Sequence, residues 1–89
     1  MKISIREANE NDMTEVFDLV QELAVFEKEP DAIEIDVAYY IENGFKKTPL
    51  FKCFVAEIEN SIVGIALIYY RFSTWKGKTI HIEDLIVID

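Results

Sequence analysis

Residues 62–70, Ile-Val-Gly-Ile-Ala-Leu-Ile-Tyr-Tyr, form a run of nine without a charge, and no longer uncharged apolar run occurs. A membrane-spanning helix needs roughly 18 to 20 such residues, so no transmembrane segment is expected. The apolar members Ile62, Val63, Ile65, Ala66, Leu67 and Ile68 occupy both sides of an extended chain. That pattern fits a central strand covered on both faces, running from Ile62 to Phe72. Upstream, across the polar Glu59-Asn60-Ser61, Phe51 to Ile58 is a second strand-like segment, so the two read as a hairpin.

The remaining segments are arranged around this hairpin. Ile3 and Ile5 alternate with Lys2, Ser4 and Arg6, which predicts a short half-buried strand over 2–7. From Asn9 the period changes: Met13, Val16, Phe17, Val20, Leu23 and Ala24 recur at three and four residues, and Asn9 with Asp12 resembles a capping box. A helix over 10–26 is expected. Lys28 to Glu34 contains Pro30 and three acids, Glu29, Asp31 and Glu34, and is a loop. Asp36 and Gly44 are plausible N- and C-caps of a second helix over 37–43 that turns Tyr40 and Ile41 inward. Ser73 to Lys78 is a turn with Gly77 as its special-dihedral residue, and Thr79 to Ile88 is another β-rich run. The predicted order is β-α-α-β-β-β.

At 89 residues the chain makes one small domain, and with 51% hydrophobic residues it can bury a core. Its formal charge of −8 is unevenly placed: residues 1–45 carry 3 basic and 12 acidic side chains, residues 46–89 carry 6 and 5. An acidic surface without a basic stripe disfavours nucleic acid and suits a cationic ligand, although most acidic faces are simply solvated. The single cysteine, Cys53, fits a buried strand thiol, and with one histidine, His81, no metal site is expected. With no signal-like N-terminal pattern, a cytoplasmic location is expected. Gly44, Gly64 and Gly77 are too scattered for a phosphate-cradling fingerprint.

Glu83 and Asp84 interrupt the apolar run 79–88. Buried there, a carboxylate would be costly and would hold its proton to higher pH, which suits a general base; alternatively, the strand end emerges into water. The residues alone leave both readings open.

Ile5-Arg6-Glu7-Ala8, Glu22-Leu23-Ala24 with Phe26-Glu27, Asn43-Gly44-Phe45, Phe51 to Glu57, and Ser73-Thr74-Trp75-Lys76-Gly77-Lys78-Thr79-Ile80 running into Glu83-Asp84 together resemble the GNAT acetyltransferases. The similarity is to their diamine branch, which includes spermidine/spermine and thialysine acetyltransferases, and it spans essentially the whole chain. It implies an α+β fold with a mainly antiparallel sheet, the N-terminal half of the acyl-CoA N-acyltransferase fold. It also implies acetyl transfer from acetyl-CoA to a primary amine of a small diamine, polyamine or lysine-like acceptor. By the same resemblance Glu83 is the general base, while Glu27, Trp75 and Asp84 border the amine groove. Leu85, Ile86 and Val87 form the strand that meets the pantetheine arm. A solvated helix end for Glu27 and a turn tryptophan packed on the sheet for Trp75 are the competing readings. Ser73 replaces an acidic residue of the spermine-acetylating members and His81 a usual tyrosine, so the resemblance is weaker for polyamines.

In the family an Arg-x-x-Gly-x-Gly/Ala loop that cradles the pyrophosphate follows this strand; here the sequence reaches Asp89. Residues 1–89 are therefore expected to be a single truncated domain, inactive alone. The alternative is a non-catalytic module that associates with itself. Either way, the apolar strand Thr79 to Ile88 is expected at a homodimer or higher-oligomer interface.

Overall fold

The computed structural model describes residues 2–88. Strand β1 (Ser4–Glu7) leads through a 3-10 turn (Glu10–Asp12) into helix α1 (Met13–Phe26), and helix α2 (Val37–Gly44) follows the acidic loop. Strands β2 (Lys52–Ile58), β3 (Ser61–Ser73) and β4 (Gly77–Val87) complete the chain. They form one antiparallel sheet in the order β1-β2-β3-β4. The element order and sheet sense are those expected, and no helix among the described residues is long and apolar enough to cross a membrane.

Local chemistry explains most boundaries. The Asn9 side chain accepts from Asn11, and Asp12 reaches back to the Asn9 N–H at 2.7 Å, closing the capping box. Asp36 accepts from the Tyr39 N–H at 2.9 Å and starts α2. Glu59 and Asn60 make the β2–β3 turn with φ of 50° and 67°, and Gly77 has φ 78°, so both turns use left-handed backbone. Gly44 differs from expectation. It is the last residue of α2 rather than a left-handed cap, and Phe45 closes the helix through its N–H to Ile41. Glycine is needed there because a Cβ would collide with the Phe51 ring.

The core lies between the helices and one sheet face: Met13, Val16 and Leu19 of α1 pack on Cys53, Val55, Ile62 and Ile65, with Ala8 at the edge. Cys53 is buried as expected, and burial pushes its thiol up to about 11. The expectation that β3 is covered on both faces is corrected. Gly64 and Ala66 look out over Ile5, Phe54, Leu85 and Val87, and no helix among the described residues covers that side. Its apolar residues at consecutive positions show two apolar faces, not what covers each.

One ion cluster ties β1, β2 and the start of α1 together. The Arg6 guanidinium donates to both oxygens of Asp12 (2.7 and 2.9 Å) and to Glu57 (2.8 Å). Asp12 is the one buried charged residue among those described. Replacing it with Ala removes these bonds and the cap together, and should lower unfolding free energy by about 2–4 kcal/mol, read as an earlier urea midpoint. Hydrogen bonding by Arg6 holds the Asp12 carboxyl below its usual 3.8. This stabilisation is therefore complete above pH 3.8 and fades as pH falls through the lower folded value; Asp12→Asn should remove that part of the acid sensitivity.

Candidate functional site

Register places Glu83. Leu67 pairs with Asp84 and Ile68 with Ile82, so Glu83 is an extra residue bulged out of β4. Asp84 shares the helix-side face with Leu67, and the bulge brings Glu83 to the same opening. Both carboxylates border a cleft of about 500 Å³ between α1, the acidic loop, α2 and the sheet. Its walls are largely apolar, from Val20, Ile33, Ile35, Leu50, Phe51 and Leu67, with Glu34, Tyr39, Tyr40 and Asn43 as polar neighbours. No lysine, arginine or histidine lines it.

Electrostatics distinguish the two acids. Asp84 is half-buried, and its carboxyl is pushed up from the usual 3.8, first by burial, then by the charges of Glu83 and Glu27. Glu83 is exposed. Tyr40 stands edge-on to Phe17 and Phe51 at centroid distances of 5.3 and 6.2 Å; burial and the Asp84 charge push its hydroxyl up. A cation entering the cleft would relieve the repulsion among these carboxylates, and an apolar stem would fit its walls.

The remaining sequence-derived candidates separate. Glu27 follows α1, exposed, within electrostatic reach of Asp84 but outside the cleft lining. Trp75, 94% exposed, sits at the β3–β4 turn, where Ser73 Oγ accepts from the Trp75 and Lys76 N–H groups. Five ladder steps separate the Ile68–Ile82 pair from Ser73–Gly77, so Trp75 lies roughly 17 Å along the ribbon from the cleft. Tyr40 and Glu34 were not foreseen as site residues. Tyr40 was expected only as packing, and Glu34 belonged to a loop with no periodicity to orient it.

Backbone direction supplies the third component. Ile88 donates to the Val63 carbonyl at 2.8 Å, so Val63 faces β4; alternation makes Ile65, Leu67, Tyr69 and Arg71 do the same. Their partners Ile86, Asp84, His81 and Thr79 face β3 in return. Leu85 and Val87 above the bulge, and Lys78, Ile80 and Ile82 below it, therefore direct their peptide groups to the open edge of the sheet. The Leu85 and Val87 groups adjoin the two carboxylates, while the Ile86 side chain packs on the core. No cluster of side chains suited to a metal ion occurs among the described residues.

No protein-family model matches the chain. Among curated proteins it is 39% identical to the thialysine N-epsilon-acetyltransferase of Bos taurus, over 96% of this chain and 55% of that protein. It is 36% identical to the human spermidine/spermine N(1)-acetyltransferase-like protein 1, over 93% of this chain and 13% of that protein. The chain thus spans about half the length of the thialysine acetyltransferase. Among solved structures, a predicted acetyltransferase of Clostridium acetobutylicum with acetyl-CoA superposes with a TM-score of 0.76 at 19% identity, covering 97% of this chain and 60% of that one. An aminoglycoside acetyltransferase from a soil metagenome, in complex with sisomicin, gives 0.71 at 23%, covering 97% and 56%.

Proposed function

From the premise that the chain is of the GNAT acetyltransferase family and carries half of that fold, we propose that it forms the amine-binding half of an N-acetyltransferase. The acceptor is a primary amine of a small diamine or lysine-like molecule, and the donor is acetyl-CoA. The observation that carries this reading is the placement of Glu83 and Asp84 at a β-bulge, facing an apolar cleft with no cationic side chain in its lining.

The chemistry follows from the geometry. An ammonium group held by Asp84, with Glu34 and Glu27 nearby, must lose a proton before its nitrogen has a lone pair. Glu83, exposed beside Asp84, accepts that proton, directly or through one water. The neutral nitrogen attacks the thioester carbonyl; the C–N bond forms, the C–S bond breaks, and the proton that the nitrogen then sheds to become an amide is taken up by the departing CoA thiolate. The open-edge N–H and C=O groups of Leu85 and Val87 can hold an amide-bearing arm alongside the acceptor, which fits the pantetheine of acetyl-CoA. Residues 1–89 supply acceptor binding, proton removal and one edge for the donor, so alone they are expected to be inactive. The alternative of a purely self-associating module predicts no amine binding.

Amide-resolved NMR of the 89-residue chain titrated with thialysine or diaminopropane tests the reading. Saturable shifts at Leu67, Glu83 and Asp84 are expected, with roughly tenfold weaker binding in Asp84→Asn. Unmoved cleft amides at millimolar amine would contradict it.

A further inference from the structure

The walls of the cleft carry different polar groups. On the sheet wall stand Asp84 and Glu83, assigned above to the reacting amine. The other wall is built from the loop before α2 and from α2 itself, and its polar groups are Glu34, Tyr39 and Asn43. Tyr39 and Asn43 are four residues apart and so share one face of α2. The Asn43 Nδ2 donates to the Tyr39 carbonyl at 2.9 Å, which leaves the Oδ1 as the free end of the amide; no group among the described residues donates to it. Glu34 is exposed at the rim and forms no ion pair among the described residues.

We propose that Glu34 is the specificity-determining residue of the cleft: with Asn43 and the Tyr39 ring it binds a second ammonium group at the far end of the acceptor, and it turns away acceptors that carry a carboxylate there. This rests on the amine-acceptor reading of Glu83 and Asp84, and narrows the acceptor from a diamine or lysine-like molecule to a diamine without a carboxylate. A carboxylate and an amide oxygen accept hydrogen bonds and give none, and a tyrosine ring attracts a cation to its face. An ammonium group with three donors suits all three partners. A carboxylate in the same place meets the charge of Glu34 with no cation beside it, because Lys28, Lys46 and Lys47 of the adjoining segments are exposed and lie outside the lining. Repulsion of the wrong acceptor contributes to selection as much as attraction of the right one. Between the walls, Val20, Ile33, Leu50 and Leu67 offer apolar surface to an alkyl stem. A cleft of about 500 Å³ is equivalent to a sphere roughly 10 Å across, room for a short unbranched chain with an ammonium at each end.

Three probes of one stem length separate the contributions: pentylamine has one cation, diaminopentane has two, and lysine is diaminopentane with a carboxylate added. Amide shift titrations of the 89-residue chain at low salt should show diaminopentane binding about five- to tenfold more tightly than either of the others. Glu34→Gln should remove the advantage of diaminopentane over pentylamine while leaving pentylamine itself unchanged. Glu34→Lys should reverse the order, with lysine bound more tightly than diaminopentane. Equal binding of lysine and diaminopentane by the unaltered chain, a comparison that needs no variant, would overturn the inference, as would a ratio that Glu34→Lys does not move. Pentylamine binding that weakens in Asp84→Asn, without any gain from the second ammonium, would refute the role of Glu34 and leave that of Asp84 standing. Failure of all three amines to bind would overturn both.

Discussion

Glu83→Gln is expected to lower turnover about 100 to 10,000-fold in a chain completed by the other half of the fold, with a much smaller change in acetyl-CoA affinity. The completing segment can be taken from the bovine thialysine acetyltransferase, which is 39% identical over the shared part. The size of the effect rests on the chemistry of the acceptor. A small primary amine is almost wholly protonated at neutral pH and cannot attack a thioester until the proton is taken away. Glutamine keeps the shape of the side chain and its ability to accept a hydrogen bond, but it cannot take that proton. The bulge is a backbone feature between Leu67/Ile68 and Ile82/Asp84, so it should survive the change. Asp84→Asn acts differently: the loss should appear mainly in the KM for the amine, because Asp84 is assigned to hold the cation rather than to accept its proton. Steady-state rates across a pH series separate the two. A Glu83→Gln enzyme with unchanged turnover at every pH would reassign Glu83 to acceptor binding.

The 89-residue chain by itself should release no CoA above background when incubated with acetyl-CoA and a panel of amines. Its cleft can order the acceptor, but its contribution toward the donor is one strand edge at Leu85 and Val87, and its three glycines provide no phosphate-cradling loop. Orientation of two reactants in a near-attack geometry supplies about 7 to 11 kcal/mol in efficient cases, and that advantage needs both reactants fixed. Restoring the second half should therefore raise the rate by many orders of magnitude. Steady turnover by the short chain, measured by thiol release with the amine omitted as control, would mean that the donor site lies within these 89 residues.

Much of the architecture was legible because short-range chemistry and long-range packing agree. Asn9 with Asp12 and Asp36 before α2 are caps whose hydrogen bonds form as the residue types suggest. The Glu59-Asn60 and Gly77 turns likewise have the backbone their residues permit. The errors arise where a sequence pattern names a property but not its partner. Consecutive apolar positions in β3 signalled two apolar faces, and only one meets the helices. Gly44 looked like a helix stop, whereas its lack of a side chain makes room for the Phe51 ring, a contact no local pattern encodes. The site was partly legible too. Adjacent carboxylates in an apolar strand marked Glu83 and Asp84, but the bulge that turns both to one cleft depends on pairing with β3. Tyr40 and Glu34 join that cleft only because α2 and the acidic loop fold over it.

The central claim is that the carboxylates at the β4 bulge hold and deprotonate an amine that receives an acetyl group. Its most direct test is transfer of a labelled acetyl group from acetyl-CoA to diaminopropane or thialysine by the completed chain, followed by mass spectrometry of the amine. The account predicts label in a mono-N-acetylated product, dependent on the amine and abolished when Glu83→Gln and Asp84→Asn are combined. Label found only in acetate, or acetylated amine formed equally well by the double variant, would contradict it.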